Sequence, residues 1–325
     1  LEEQLQKIIN DVAGNGDAAV KKYTREFDNF DADTLEVTAG EIQEAGREVD
    51  PALKKAIEEA HWNIQTFHKK QRAKVETTVT TAGVRCWQKP VPISRVGLYI
   101  PGGTAPLLST ALMLGVPARI AGCREVILCT PPDSQGKVSP SILYIAGLLG
   151  IDRVFRVGGA QAIAAMAYGT ESIPAVNKIF GPGNQYVATA KQIVNRSKVA
   201  IDLPAGPSEL AVVADSSANP AFIASDLLSQ AEHGPDSQVL LLSDSDEMID
   251  QVQKELLKQL KDLPRKDIAS KALDNSKIIL LKNQDEIMDM VNAYAPEHLI
   301  LVTRNYAELA EKVVNAGSVF LGDYT

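Results

Sequence analysis

The run from 201 to 238 contains side chains that could do chemistry together. Gln230 and His233 lie three positions apart on a predicted helix, so one face of that helix presents both. An imidazole nitrogen and an amide oxygen could form half of a metal site, although glutamine is not among the usual zinc ligands. The alternative is a polar last helical turn, in which His233 complements the helix dipole before Gly234 and Pro235 end the helix.

A second polar pair, Glu297 and His298, follows Pro296 at the start of the predicted strand HLILVT. Imidazole titrates near neutrality and a neighbouring carboxylate can orient it, so the pair has the residue types needed for proton transfer. Adjacent residues on a regular strand face opposite ways, so the pair can share a site only if the backbone is irregular at Pro296. Otherwise, this is an exposed glutamate beside a strand-edge histidine.

Glycine-containing turns follow three predicted strands in the middle of the chain. A glycine there lets the backbone approach a phosphate at a helix N-terminus, so three turns on one edge predict a nucleotide or dinucleotide site. None is a G-x-G-x-x-G fingerprint, and each alone is better explained as a tight strand-to-helix connection. Gln161 and Asn184 begin their helices and could bind ribose hydroxyls or act as caps. The turns are Pro101-Gly102-Gly103, Gly158-Gly159-Ala160-Gln161 and Gly181-Pro182-Gly183-Asn184.

The elements that position these residues follow a regular alternation. The first eighty residues have a helical pattern, with a long helix opening at Asp50-Pro51. From Val84 onward, short apolar strands alternate with helices of ten to fifteen residues, which predicts an α/β fold with two parallel-sheet units. Because no Pro-rich or Ser-rich linker separates the units, we expect them to pack together with a cleft where the carboxyl ends of their sheets meet.

Composition narrows the functional classes. The 325 residues carry a formal net charge of −8 and no basic block, which argues against nucleic acid or a membrane surface as the main partner. No apolar run reaches the length of a membrane span, and the first residues lack the pattern of a signal peptide. The three cysteines form no CxxC pair and are predicted to be reduced core thiols. We therefore expect a soluble protein of a reducing, cytoplasmic compartment.

Seven motifs, in this order across Arg95–Tyr324, closely resemble the histidinol dehydrogenase family: RVGLYIPGGTAPLLSTALM, VGGAQAIAA, FGPGNQYV, DLPAGPSE, SDLLSQAEHGPDSQ, PEHLI and AGSVFLGDY. The resemblance implies zinc-dependent oxidation of L-histidinol to L-histidine through L-histidinal, with two NAD in succession, as the last step of histidine biosynthesis. It also implies a homodimer of subunits with two incomplete Rossmann-like units and an N-terminal helical segment. We assign residues 1–98 plus 209–325 to a discontinuous first domain and 99–208 to an inserted second domain that binds NAD.

The resemblance also assigns roles by position. Gln230 and His233 resemble two ligands of Zn2+ that also contact the substrate, and Ser208 resembles a substrate-contacting residue. Glu297 and His298 resemble the catalytic acid–base pair, with His298 touching the substrate as well.

The NAD contacts come from the other set of motifs. Tyr99, Gln161 and Asn184 resemble NAD-contacting residues, which agrees with the glycine turns.

The chain departs from the family pattern at its end. Family members continue past Gly322-Asp323-Tyr324-Thr325 to an aspartate and a histidine that complete the zinc site, the histidine reaching the partner subunit. We therefore expect residues to be missing at both ends, including the C-terminal dimerisation segment, and expect weak zinc binding and little activity from this form.

Three other functions fit parts of the pattern. The same fold could oxidise another small alcohol with NAD, and a substrate panel would distinguish this. A zinc hydrolase could use Glu297 to activate water without binding NAD. A non-catalytic nucleotide-binding or assembly protein would tolerate alanine at His298.

Overall fold

The computed structural model describes residues 1–31, 33–102, 107–203, 206 and 208–324. The chain divides into two compact units, Leu1–Ala205 and Gly206–Thr325. Each is built around its own five-stranded sheet, and all neighbouring strands in both sheets are parallel. This division differs from the discontinuous one predicted above, because the N-terminal helices pack on the first sheet's helices and strands rather than joining the second unit.

The first unit begins with three helices and a hairpin, followed by the sheet with its helices. The helices are α1 (Glu2–Asp28), α2 (Ala39–Glu48), α3 (Pro51–Lys70), α4 (Leu108–Ala121), α5 (Pro140–Leu148), α6 (Gly159–Tyr168) and α7 (Gln185–Asn195). The strands are β1 (Thr77–Thr81), β2 (Val84–Trp87), β3 (Arg95–Tyr99), β4 (Glu125–Thr130), β5 (Arg153–Arg156), β6 (Lys178–Phe180) and β7 (Ala200–Ile201). β3 to β7 form the sheet, in the order β5-β4-β3-β6-β7.

The N-terminal helices cover this sheet's own helices. α1 packs on α6 and α7, α2 on α5, and α3 on α4. The apolar stripe of α1 explains its position, because Leu5, Ile9 and Val12 are at most 2% exposed and belong to the core that contains α6. The Asp50 side chain caps α3 and Pro51 occupies its first turn, which confirms the predicted start of the long helix.

The hairpin was not expected from the helical pattern of the first eighty residues. β1 pairs with β2 in antiparallel fashion, and every residue of both strands is exposed. Cys86 lies on this hairpin and is exposed, so the prediction of a core thiol is wrong for it. Cys123 and Cys129 are free and buried, as predicted.

The second unit alternates strands and helices throughout. Its strands are β8 (Glu209–Ala214), β9 (Gln238–Ser243), β10 (Lys277–Leu280), β11 (His298–Val302) and β12 (Ser318–Leu321). Its helices are α8 (Pro220–Ala231), α9 (Asp246–Asp262), α10 (Lys266–Asp274), α11 (Gln284–Tyr294) and α12 (Tyr306–Ala310). The sheet order is β10-β9-β8-β11-β12.

Both sheets have the same topology. When the five strands of each unit are numbered along the chain, both spatial orders read 3-2-1-4-5. This is the Rossmann order without its sixth strand, so the prediction of two incomplete Rossmann-like units is confirmed. Buried apolar runs such as Val126–Cys129 are typical of strands covered on both faces. Within the described residues, no helix combines the length and apolar character needed to cross a membrane.

Candidate active site

Strand register gathers several predicted site residues at one edge of the second sheet. Glu209 on β8 pairs with Gln238 on β9, and Leu210 pairs with His298 on β11. The Gln238 N–H donates to the carbonyl of Ser208 at 3.0 Å, so the residues that precede these three strands lie side by side. This is the amino edge of the sheet, whereas the expected cleft lay at the carboxyl ends. The helix α8 returns its C-terminal end to the same edge, because it runs from the end of β8 to the start of β9.

Glu297 and His298 share one place at that edge. Glu297 precedes the first residue of β11, and Ala295 has a left-handed backbone (φ 54°) at the end of α11, so strand alternation does not apply to Glu297. Its Oε2 lies 3.6 Å from His298 Nδ1 and accepts a hydrogen bond from the Glu209 N–H at 3.4 Å. The structure therefore has the irregular backbone that a shared site requires.

The His298 ring keeps a free polar atom beside the carboxylate. A separation of 3.6 Å is longer than a hydrogen bond, and His298 Nδ1 is buried with no hydrogen-bond partner among the described residues. The ring stacks on Phe320 of β12 with centroids 6.0 Å apart. The imidazole is thus held in place by its strand and by an aromatic neighbour, and its Nδ1 is left without a partner among the described residues.

The backbone of Glu297 is fixed by the neighbouring strand. The Gly317 N–H donates to the carbonyl of Pro296 at 3.0 Å, and the Ser318 N–H donates to that of Glu297 at 2.9 Å. A Cβ at position 317 would stand 2.6 Å from the Glu297 carbonyl oxygen, so only glycine allows this close approach. Backbone hydrogen bonds therefore fix the position of Glu297 independently of its side chain.

A half-buried tyrosine, Tyr294, supports the same edge. The Tyr294 hydroxyl donates to Gln238 Oε1 at 2.8 Å. Burial, with a smaller effect from the Glu209 charge, raises the pKa of Tyr294 to about 12. The hydroxyl consequently remains a protonated donor at neutral pH and orients the side chain that opens β9.

The end of α8 presents the predicted metal ligands. Gln230 is 8% exposed, and the exposed His233 follows one turn later. His233 Nδ1 lies 2.8 Å from the Ser229 carbonyl. Because a carbonyl only accepts, Nδ1 carries the proton, and Nε2 of the neutral ring keeps its lone pair. This arrangement is typical of histidines that bind metals.

The donor set of this region fits zinc in part. Gln230, in the last turn of α8, provides an amide oxygen, and His233, two residues beyond the end of the helix at Ala231, provides an imidazole nitrogen, so the helix face predicted to present both residues is not formed. In the described part of the chain, no group of three or more His, Cys, Asp and Glu side chains is arranged to hold a metal ion. A tetrahedral zinc site needs four ligands, and the predicted set offers two of them.

In the first unit, the predicted NAD residues lie at the carboxyl edge of the sheet. Tyr99 ends β3, Gln161 lies in the first turn of α6 after β5, and Asn184 caps α7 after β6. The Tyr99 hydroxyl accepts a hydrogen bond from the Gly159 N–H at 3.1 Å, and burial raises the pKa of Tyr99 to about 12. This edge is where ligands bind in open α/β sheets.

The amide side chains of Gln161 and Asn184 differ in their hydrogen bonds. Gln161 is 1% exposed, and neither atom of its amide has a hydrogen-bond partner among the described residues. Asn184 Oδ1 accepts the N–H groups of Tyr186 and Val187, each at 3.1 Å. Asn184 is therefore a helix cap, whereas the Gln161 amide is the orphaned buried group that a polar ligand would satisfy.

The glycines at this edge permit close approaches. A Cβ at Gly158 would stand 2.5 Å from Pro131, which follows β4, and one at Gly102 would also collide with Pro131. The first two glycine turns therefore meet at Pro131, although Gly103 falls outside the described residues. Gly181 (φ 130°) lies against the carbonyl of Tyr99, with no room for a Cβ.

A buried ion pair holds the third glycine turn. Lys191, only 6% exposed, donates through Nζ to the Gly181 carbonyl at 2.7 Å and also to Asp202. The second oxygen of Asp202 accepts the Gly181 N–H at 2.8 Å. The pair thus holds both backbone groups of Gly181. Sequence reasoning missed it, yet Lys191 falls on the apolar stripe of α7 between Val187 and Val194, which was a visible signal.

Comparisons with known proteins agree with this architecture. The family model described as "Histidinol dehydrogenase" matches residues 1–325. The histidinol dehydrogenases of Bacteroides thetaiotaomicron and Xylella fastidiosa are 58% and 53% identical over 99% of this chain, which covers 76% and 75% of their lengths. A crystal structure of histidinol dehydrogenase from Elizabethkingia anophelis superimposes with a TM-score of 0.98 at 48% identity, covering 100% of this chain and 75% of that one.

More distant structures share only the fold. An acetylating aldehyde dehydrogenase from Geobacillus thermoglucosidasius gives a TM-score of 0.54 at 13% identity. Topology and comparison together define an α/β oxidoreductase with two Rossmann-like units. The chain belongs to the histidinol dehydrogenase family, as its motifs predicted.

The buried ion pair generates a stability prediction. We expect Lys191→Met to lower the free energy of unfolding by about 3 kcal/mol, because it leaves the Asp202 carboxylate without its buried cation. Urea denaturation measures this change. The control is Lys7→Met on the exposed face of α1, which we expect to stay within about 0.5 kcal/mol of the parent. Equal stability of the two variants would contradict the importance of the pair.

Proposed function

We propose that the native enzyme with this sequence oxidises L-histidinol to L-histidine through L-histidinal, using two NAD and zinc, at the last step of histidine biosynthesis. The observation that carries the proposal is the Glu297–His298 pair, whose side chains approach to 3.6 Å at the amino edge beside Ser208. Membership of the histidinol dehydrogenase family supports the choice of substrate.

His298 acts as the general base in the alcohol step. Its ring is half-buried, and its Nδ1 has no partner among the described residues. A neutral imidazole in this position can take the hydroxyl proton as the alcohol carbon is oxidised. The nearby Glu297 carboxylate stabilises the imidazolium that results.

Glu297 acts in the aldehyde step. Its side chain is half-exposed, so water can reach it, and its backbone is fixed by Gly317 and Ser318. The carboxylate removes a proton from a water molecule that adds to the aldehyde carbon. The resulting hydrate contains the second oxygen of the carboxylate product and is oxidised in turn.

The remaining roles concern binding. Gln230 and His233 would hold the zinc ion, which when bound orients the substrate through its amino and imidazole nitrogens. Tyr99, Gln161 and Asn184 would hold NAD, which when bound accepts a hydride in each oxidation. The orphaned amide of Gln161 supports this cofactor role, while Asn184 has only its Nδ2 group to offer because its oxygen caps α7. Ser208 would contact the substrate beside His298.

The division of labour between the acid–base residues is testable. We expect Glu297→Gln to slow conversion of histidinal to histidine by at least about 100-fold, while oxidation of histidinol to histidinal falls much less. We expect His298→Asn to slow both steps. Single-turnover measurements of NADH formed per histidinol, with separation of histidinal and histidine, give the two rates.

The control variant is Glu311→Gln, on an exposed position away from this edge, which should behave like the parent. If Glu297→Gln impaired the alcohol step as severely as the aldehyde step, the proposed division would be wrong.

The zinc ligands have a test that does not depend on turnover. We expect His233→Ala to weaken zinc binding by at least about ten-fold, as measured by competition with a chromophoric chelator, because it removes the Nε2 donor. His68→Ala, on α3, changes a histidine outside the site and serves as the control. An unchanged affinity in His233→Ala would exclude the ligand assignment.

We also infer that the enzyme is a homodimer. A two-stranded hairpin is marginal in water, and β1–β2 has every residue exposed, including Val79 and Trp87 at 65% and 61%. Trp62 and Phe67 of α3 add apolar side chains that are 65% and 63% exposed. Exposed apolar surface of this kind is typical of protein interfaces.

Light scattering tests the assembly. We expect the native enzyme to have the mass of two chains and its Trp87→Glu variant the mass of one. Lys7→Glu controls for the added negative charge. A single-chain mass for the native enzyme across the micromolar range would refute this assignment.

A cytoplasmic location completes the proposal. Cys86, Cys123 and Cys129 are all free, which suits a reducing compartment. Cell fractionation followed by immunodetection of the native enzyme tests it, and recovery outside the cytoplasmic fraction would contradict it.

A further inference from the structure

The last residue of α1 has a carboxylate that none of the roles assigned above involves. Asp28 is the last residue of the helix, where the helix dipole disfavours negative charge. Its Oδ2 is buried with no hydrogen-bond partner among the described residues. Burial raises the pKa of Asp28 to about 6, so the group is largely ionised at neutral pH in an unfavourable environment.

Backbone pairing places this end of α1 at the carboxyl edge of the first sheet. The Arg156 N–H donates to the Leu35 carbonyl at 2.9 Å, and the Val37 N–H donates to the Val154 carbonyl at 2.8 Å. This segment therefore runs antiparallel to β5, and the chain that precedes Leu35 extends past the carboxyl end of that strand. Phe30, two residues after Asp28, lies against Gly136 in the loop that follows β4.

Two other polar groups lie at this edge, namely the Tyr99 hydroxyl and the Gln161 amide. The Asp28 charge is near enough to the Tyr99 hydroxyl to raise its pKa, and that hydroxyl accepts the Gly159 N–H at 3.1 Å. A Cβ on Gly159 would stand 2.6 Å from Gln161 Oε1, so the orphaned amide lies beside the same glycine. The Tyr99 hydroxyl and the Gln161 amide thus lie at Gly159, where α6 begins, and the Asp28 carboxylate is close enough to act on Tyr99 electrostatically.

We propose that Asp28 is a further cofactor-positioning residue, whose carboxylate accepts a hydrogen bond from a ribose hydroxyl of NAD. This inference rests on the proposed use of NAD at this edge. A buried carboxylate without a donor is unfavourable in the free protein, and a ligand hydroxyl would satisfy it. Carboxylates bind ribose hydroxyls in Rossmann-like sites, and the neighbouring Tyr99 and Gln161 can complete the contacts of a vicinal diol.

The test is NAD binding to Asp28→Asn by isothermal titration. We expect the dissociation constant to rise by about ten-fold or more, the effect of losing a hydrogen bond to a charged group. The matched control is Asp31→Asn, an exposed carboxylate three residues later, which should stay within about two-fold of the parent. Titrations with AMP and with nicotinamide mononucleotide show which of the two riboses is bound, because only the one that contacts Asp28 should lose affinity in Asp28→Asn.

Thermal stability separates this role from a structural one. The folded-state pKa of Asp28 lies above its ordinary value of 3.8, so ionisation destabilises the fold progressively as pH rises through about 6. We therefore expect Asp28→Asn to raise the melting temperature at about pH 7 and to leave it unchanged at about pH 4. A residue that merely stabilised α1 would give a lower melting temperature instead.

The outcomes distinguish this inference from the proposed function. Unchanged NAD affinity in Asp28→Asn, with the parent binding NAD, would overturn the role of Asp28 alone. No NAD binding by the parent would overturn the proposed cofactor function itself, and the inference with it. Weaker NAD binding together with higher stability at about pH 7 would support the assignment.

Discussion

The parallel register of β8 with β9 and β11 is the constraint on which the chemistry of the second unit depends. Because Glu209 pairs with Gln238 and Leu210 with His298, the residues just before three separate strands are brought to one edge. Ser208 and Glu297 are 89 positions apart in the chain, yet a shift of one residue in this pairing would separate them. The backbone bonds from Gly317 and Ser318 then hold Glu297 in an orientation that a regular strand would forbid.

In the first unit, the predicted site residues lie at the carboxyl edge of the sheet, and only some of the polar groups there have hydrogen-bond partners. There, the buried Lys191 and the half-buried Asp202 are paired, and they fix the backbone of Gly181. The amide atoms of Gln161 and the Oδ2 atom of Asp28 are buried without partners among the described residues. In the protein interior, a satisfied polar group rigidifies its surroundings, whereas an unsatisfied one is unfavourable until a ligand arrives. The unit thus combines a rigid glycine turn with polar atoms available for binding.

Much of the fold was predictable from short-range pattern. The alternation of apolar strands and helices predicted both parallel sheets, and Asp50-Pro51 predicted the start of α3. The hairpin β1–β2 was missed because its exposed strand TTVTT lacks the alternation of a half-buried strand. The predicted discontinuous domain was not observed, because no local pattern shows which sheet an amphipathic helix such as α1 will cover.

The sequence by itself determined most of the elements and the family, since these depend on local periodicity and on residue identity. Only the tertiary structure decided that the Glu297–His298 edge is an amino edge, that Asn184 uses its oxygen as a cap, and that Asp28 lies unpartnered near Tyr99. The physical reason is that such contacts join residues far apart in the chain. Strand register and close backbone approach at glycines such as Gly181 and Gly317 bring them together, and neither leaves a periodic signal in the sequence.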